Sequence, residues 1–154
     1  MLTPDELVGL FRARGYKMTP QRYATFQALH GDHTHPTAEV VHGAVTANLP
    51  SVSLRTVYSV LGELAALGQI RQLDLGTGST RFDPNTTEHH HLVCDACGMV
   101  RDVTVAHPEL TPVPVGQTAD ASRFAVSGTE IVFRGRCGDC PPTAAPTPVT
   151  SIDV

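Results

Sequence analysis

The sequence predicts an α+β chain in two parts: a helical first half closed by a β-hairpin, then a smaller domain of short strands held together by cysteines. Helix-start signals recur at Thr3, Thr19, Thr37 and Ser53, while apolar–polar alternation sets in only after Gly68. All four cysteines fall in two C-x-x-C pairs, Cys94 with Cys97 and Cys137 with Cys140. At 154 residues with 41% apolar and 17% charged side chains, the chain is long enough to bury a core in one or two small domains.

Thr3-Pro4-Asp5-Glu6 is a capping box with proline at the first helical position, and Leu7, Leu10 and Phe11 form an apolar stripe up to Gly15. Thr19-Pro20 repeats the device, with Phe26 and Leu29 as apolar positions and an end near Gly31. A third helix is expected from Thr37, carrying Val40, Val41, Ala44 and Val45 to about Leu49, where Pro50 forbids continuation. The fourth, over about residues 53–67, places Val57, Val60, Leu61 and Leu64 on one face and Arg55, Tyr58, Ser59 and Gly62 on the opposite one. Residues 69–75 alternate, a Gly76-Thr77-Gly78-Ser79 loop follows, and residues 80–83 return, which predicts a hairpin with a glycine-rich tip.

Three helices, a fourth with a polar outer face and a hairpin make the order of a winged helix-turn-helix. In that motif the last helix enters the major groove of DNA and the wing touches the backbone. Residues 1–83 are assigned to this DNA-binding domain and 84–87 to a hinge. Alternation at residues 91–93, 99–105, 123–126 and 130–134 predicts a small sheet in a second domain, residues 88–140. Pro108, Pro112 and Pro114 make any helix between residues 107 and 118 short or broken. The Pro- and Thr-rich residues 141–154 are expected to be a disordered tail.

Net charge is −4, with 7 basic against 7 acidic residues before Pro84 and 4 against 8 after it. Bulk charge therefore does not announce a nucleic-acid partner, and the DNA-binding expectation rests on the fourth helix. Its Arg55, Thr56, Tyr58 and Ser59 are expected to face DNA, with Lys17, Arg22 and the wing residue Arg81 on phosphates. Apolar runs are short, and the first residues lack a basic stretch followed by an apolar core and a cleavage site. No membrane partner and a cytoplasmic location are expected.

Each C-x-x-C turn aims two thiolates at one point, so two such turns complete a closed tetrahedral site for structural Zn(II) at Cys94, Cys97, Cys137 and Cys140. Two disulfides would need an oxidising compartment that nothing in the chain implies, and a redox pair would need a thioredoxin-like context. Just before the first knuckle stands Glu88-His89-His90-His91. On a strand, His89 and His91 share a face, as a pair of potential ligands or as part of an exposed polar strand. Taken singly, His35 before Pro36 reads as a loop residue, Asp83 before Pro84 as an Asx-turn, and Asp102 as an edge-strand carboxylate.

Together these residues resemble the ferric uptake regulator family. Met18-Thr19-Pro20-Gln21-Arg22, His35-Pro36-Thr37-Ala38-Glu39, Thr56-Val57-Tyr58, Arg81-Phe82-Asp83, the run from His89 to Gly98, and Cys137-Gly138-Asp139-Cys140 recur in family order over roughly residues 5 to 140. The resemblance implies a homodimeric, metal-dependent repressor of operator DNA, with a winged-helix domain, a hinge and an α/β dimerisation domain. It implies that His35, Asp83, His89, His91 and Asp102 hold the regulatory metal and the four cysteines the zinc. Asp83 is similar to the peroxide-responsive branch, where many iron-responsive members carry Glu. Thr129 stands where many members place a further ligand His, and Ser59 where Arg or Asn is common.

Three imidazoles and two carboxylates without thiolate suit Fe(II) or Mn(II) at five or six coordination. Ligands drawn from both halves would let the metal select one relative orientation of the domains, and iron would generate an oxidant from peroxide beside His35 and His89. Manganese-, iron- or zinc-responsive repression without peroxide sensing is the alternative within the family. A metal-dependent enzyme is the rival outside it, and no general base or nucleophile is evident for one.

Overall fold

The computed structural model describes residues 1–105, 125 and 127–141. Among these residues four helices form, α1 (Pro4–Ala13), α2 (Pro20–Leu29), α3 (Ala38–Thr46) and α4 (Leu54–Ala66). Each starts at a hydroxyl cap: the side chains of Thr3, Thr19, Thr37 and Ser53 accept from the backbone N–H three residues on, satisfying a donor the helix itself leaves free. At Thr3 the Glu6 carboxylate completes a capping box.

The inner helix faces build one core, in which Leu7 and Phe11 of α1 meet Phe26 and Leu29 of α2, Val41 and Val45 of α3, and Val57, Leu61 and Leu64 of α4. The Phe11 and Phe26 rings lie 4.9 Å apart and tilted by 55°, an arrangement that favours edge-to-face attraction. On α3 the buried stripe is Ala38, Val41 and Val45; Val40 is 57% exposed and Ala44 also faces solvent. Of the four apolar residues expected on this helix, Val41 and Val45 are the ones that enter the core. Only one face, spaced by three and four residues, meets α2 and α4, and Val40 and Ala44 lie one residue off it.

Strands β1 (Arg71–Leu73) and β2 (Arg81–Asp83) pair antiparallel, with Gln72 opposite Phe82. The hairpin is two-faced. Ile70 and Phe82 enter the helical core, whereas Leu73 and Leu75 join Val93 and Val100 in a second apolar cluster against which Val132 packs.

The second sheet has the order β4-β3-β5, from β3 (His90–Cys94), β4 (Val100–Val103) and β5 (Val132–Gly135). β3 pairs antiparallel with β4, placing His91 opposite Asp102, and parallel with β5. Its burial alternates, with His91 and Val93 inward and Leu92 outward. β4 is shorter than the alternation at 99–105 implied, and β5 begins two residues after Glu130. The expected broken helix at 107–118, nearly all of the strand at 123–126 and the tail from 142 lie outside the described residues. The amino terminus of Met1 donates to Pro84 O of the hinge at 2.7 Å, and Arg134 Nη2 joins the two halves by donating to Leu75 O at 2.7 Å. Among the described residues no helix is long and apolar enough to cross a membrane.

Candidate metal centres

Five residues expected to act together meet at the join of the two halves. Asp83 ends β2, His89 precedes β3, His91 lies within it, Asp102 faces His91 from β4, and His35 comes from the turn before α3. His35, Asp83, His89 and His91 are all buried, and Asp102 is partly so. His35 Nε2 lies 2.7 Å from Asp102 Oδ1 and 3.7 Å from Asp83 Oδ1; His89 Nε2 lies 3.1 Å from Asp83 Oδ2 and 3.0 Å from His91 Nε2.

The outer atoms of these rings determine what the inner ones offer. Thr87 O accepts from His89 Nδ1 at 2.8 Å, so the proton sits on Nδ1 and the Nε2 lone pair points inward. His91 Nδ1 lies 3.2 Å from the Glu130 carboxylate, which leaves its Nε2 to face that of His89. Two Nε2 atoms at 3.0 Å either share a proton in a hydrogen bond or, with both lone pairs turned inward, face a common cation. Burial, with the His89 and His35 rings beside it, pushes His91 below the usual imidazole value and so keeps it a neutral ligand. Partial burial works against ionisation of Asp102, yet the Asn85 amide and the nearby imidazoles hold it below the usual carboxylate range.

These residues fit a metal ion. His35 Nε2, Asp83 Oδ2 and Asp102 Oδ1 are buried without a hydrogen-bond partner. They approach their neighbours closely without forming hydrogen bonds, and ligand atoms of His35, Asp83, His89 and His91 all lie within 4.8 Å of one another. Ligands adjacent on an octahedron with bonds near 2.1 Å stand about 3.0 Å apart, the scale seen here. Asp83 also makes the Asx-turn its sequence context implies, since Oδ1 accepts from Asn85 N at 2.8 Å, which leaves Oδ2 for the cluster. His35 adopts φ +55°, a left-handed conformation that costs a residue with a side chain about 1–3 kcal/mol and persists only where its surroundings hold it.

The cysteines form the second cluster and no disulfide. Sγ separations are 3.8 Å for Cys94–Cys140, 3.7 Å for Cys97–Cys137 and 3.4 Å for Cys137–Cys140. The edge of a tetrahedron with Zn–S bonds of 2.3 Å is about 3.8 Å, so the four sulfurs fit a closed zinc site. Backbone N–H groups of Cys137 and Cys97 aimed at Cys94 lower its thiol to about 6, whereas Cys137 and Cys97 push Cys140 up to about 12. Four clustered thiolates cannot all ionise unaided, and a divalent cation is what lets them.

On the outer face of α4, Arg55, Tyr58 and Ser59 are exposed, as is Lys17 before α2. Thr56 is half-buried, its hydroxyl 2.8 Å from Ser53 Oγ at the helix cap. Tyr58 Oη donates to Glu39 Oε1 at 2.9 Å. Arg22 and Arg81, expected on phosphates, are engaged within the chain. Arg22 makes a two-pronged ion pair with Glu63 at 2.9 and 2.7 Å, donates to Lys17 O and stacks on Tyr16. Arg81 donates to three acceptors around the wing. Either would have to give up these bonds to reach a phosphate. Sequence reasoning missed Glu130, Asn85 and Thr87, the outer partners of the ligands. No local pattern marks them, because each is defined only by what it touches.

Residues 13–115 match the model of the ferric uptake regulator family. The chain is 32% identical over 136 residues to the peroxide-responsive repressor PerR of Staphylococcus aureus, covering 88% of this chain and 90% of the relative. Among solved structures it is similar in fold to the Helicobacter pylori ferric uptake regulator Fur, with TM-score 0.70 at 19% identity over 92% of this chain and 93% of that one. It is similar also to the Campylobacter jejuni peroxide stress regulator, with TM-score 0.61 at 22% identity over 91% and 100%.

Proposed function

The chain belongs to the ferric uptake regulator family, and from that premise we propose that it is a metal-dependent repressor that binds operator DNA as a cytoplasmic homodimer and responds to peroxide. Members of this family are transcriptional regulators rather than enzymes. The observation that carries the reading is the buried ligand cluster in which His35 and Asp83 come from the winged-helix half and His89, His91 and Asp102 from the other.

Such a cluster is a conformational selector. Ligands on two bodies converge only when the bodies hold one relative orientation, so filling the site stabilises that orientation by its differential affinity. In a dimer this sets the spacing of the two α4 helices, and so their match to half-sites on DNA. Arg55, Thr56, Tyr58 and Ser59 are the residues proposed to face bases, with Lys17 on a phosphate. Arg22 and Arg81 act first as internal ties. The Cys94, Cys97, Cys137 and Cys140 cluster holds structural Zn(II), and the nitrogen and oxygen cluster Fe(II) or Mn(II).

When bound, Fe(II) supplies the chemistry that turns hydrogen peroxide into an oxidant, which Mn(II) does not readily do. The chain's own part is to hold the His35 and His89 rings within reach and to bury the site so that oxidation is local. The deciding experiment measures operator binding with Mn(II), Fe(II) and Zn(II), each with and without a brief peroxide pulse, followed by mass spectrometry of tryptic peptides. The expected result is one added oxygen atom on His35 or His89 and release of DNA in the iron form alone. Unmodified histidines in an iron-loaded protein that stays on DNA would leave a metal-responsive repressor without peroxide sensing.

A further inference from the structure

Arg81 stands at the meeting point of three parts of the molecule. Its Nη1 donates to the carbonyl of His35 at 3.3 Å, its Nη2 to the carbonyl of Gly98 at 2.9 Å, and its Nε to Thr77 Oγ1 at 3.4 Å. His35 is the strained ligand of the nitrogen and oxygen cluster, Gly98 closes the first cysteine knuckle, and Thr77 belongs to the wing tip. A planar guanidinium with five N–H donors can span such a set; a lysine ammonium, a point charge on a flexible stem, cannot. At Gly98, whose φ is +70°, a Cβ would stand 3.3 Å from Nη2, so a side chain there would press the guanidinium back by a few tenths of an ångström.

The surroundings indicate a purpose for this contact. The next residue, Phe82, donates its N–H to Pro36 O at 3.0 Å, so Arg81 and Phe82 together bind the two residues of the turn at its strained point. The three acceptors of Arg81 are all uncharged, and its positive charge faces a polar cavity lined also by Cys94, Cys97 and Arg134. Four thiolates around Zn(II) would carry two net negative charges; beside them the cavity is lined by two guanidiniums, of which Arg134 pairs with Asp95 at 3.4 Å and Arg81 does not.

We propose that Arg81 is a positioning residue that ties the cysteine knuckle to the His35 turn, so that the regulatory metal site is braced against the structural one. This rests on the reading of the five-residue cluster as a metal site. With the tie cut, the turn relaxes from its left-handed conformation and His35 Nε2 leaves the other four ligand groups. Metal affinity then falls by about 10- to 100-fold, the usual effect of losing an outer-shell partner.

The test uses Arg81→Ala and Arg81→Lys in the full-length, zinc-loaded protein. Three quantities are measured: Mn(II) affinity by calorimetric titration, hydrogen exchange of peptides spanning residues 33–38 and 80–84, and the salt dependence of operator binding at saturating Mn(II). Both variants are expected to keep one zinc per chain, to bind Mn(II) about 10- to 100-fold more weakly and to exchange faster in both peptides, with an unchanged salt slope. If both bind Mn(II) and exchange like wild type, while Arg81→Ala lowers the salt slope by about one and Arg81→Lys restores it, Arg81 is a phosphate contact and the proposal falls. Should Arg81→Ala not fold, Arg81→Lys decides alone, since it keeps the charge and loses the fork. A wild-type protein that takes up no Mn(II) beside its zinc would overturn the metal reading instead, and the exchange of the two peptides would still judge the tie.

Discussion

Replacing Cys140 by Ser removes one corner of the sulfur tetrahedron, and the structure indicates what depends on it. Among the described residues, the apolar support of the β4-β3-β5 sheet is Val93 and Val100, with Val132 packed against them and Leu73 and Leu75 supplied by the wing. At about 1.5–3 kcal/mol per buried aliphatic side chain, these five contribute roughly 10 kcal/mol. A structural zinc site is worth about 10–16 kcal/mol in apparent binding energy, at least as much as the whole cluster. The metal is thus a term at least as large as the apolar cluster of the described residues, and β3 and β5 carry the chain directly into its two knuckles. The helices do not share this dependence, because their core from Leu7 to Phe82 is separate. Cys140→Ser is expected to lose zinc, to become protease-sensitive after about residue 88 and to lose dimerisation, while keeping most of its helical circular dichroism. Zinc stoichiometry, limited proteolysis with mass spectrometry and sedimentation read these in one preparation, with His91→Ala as a control that keeps zinc and fold. A zinc-free Cys140→Ser protein that stays dimeric and resists protease throughout would refute the reasoning.

Arg55→Ala and Tyr58→Ala should each weaken specific operator binding by about 1–3 kcal/mol with metal content and dimerisation unchanged; wild-type affinity in both, measured by fluorescence anisotropy, would move the DNA-reading face elsewhere. Arg22 and Glu63 should couple by about 1 kcal/mol in a double-mutant cycle of urea unfolding, because their two-pronged pair is partly buried and charge-assisted; negligible coupling would free Arg22 for a phosphate. Glu130→Gln should weaken regulatory-metal binding by about tenfold without altering zinc if the Glu130 carboxylate, 3.2 Å from His91 Nδ1, orients that ring; an unchanged Mn(II) titration would remove it from the site.

Much of this protein is legible one short segment at a time. The caps at Thr3, Thr19, Thr37 and Ser53 act over three residues, so the starts of all four helices follow from local hydrogen bonding. The buried face of α4 follows from a 3.6-residue period, and the common orientation of His89 and His91 from a period of two. Each cysteine knuckle is likewise a local chelate, and the pairing of the two follows from counting thiols.

Family resemblance, rather than any period, drew His35, Asp83 and Asp102 into one ligand set, and the structure brings them within 4 Å of one another or of the imidazoles. What no pattern in the chain could supply is the set of partners separated by tens of residues. Arg22 with Glu63, Arg81 with His35 and Gly98, and Glu130 with His91 are chance neighbours until the helices and sheets pack. The same holds for Leu73 and Leu75, whose alternation marks a strand but not which core receives it. Local sequence determines the elements and the chelating turns, because their energies come from neighbours within a few residues. Tertiary packing alone decided that Arg22 and Arg81 make hydrogen bonds within the chain, and that a buried left-handed histidine joins the cluster of Asp83, His89 and His91, because those energies exist only once distant surfaces exclude water together.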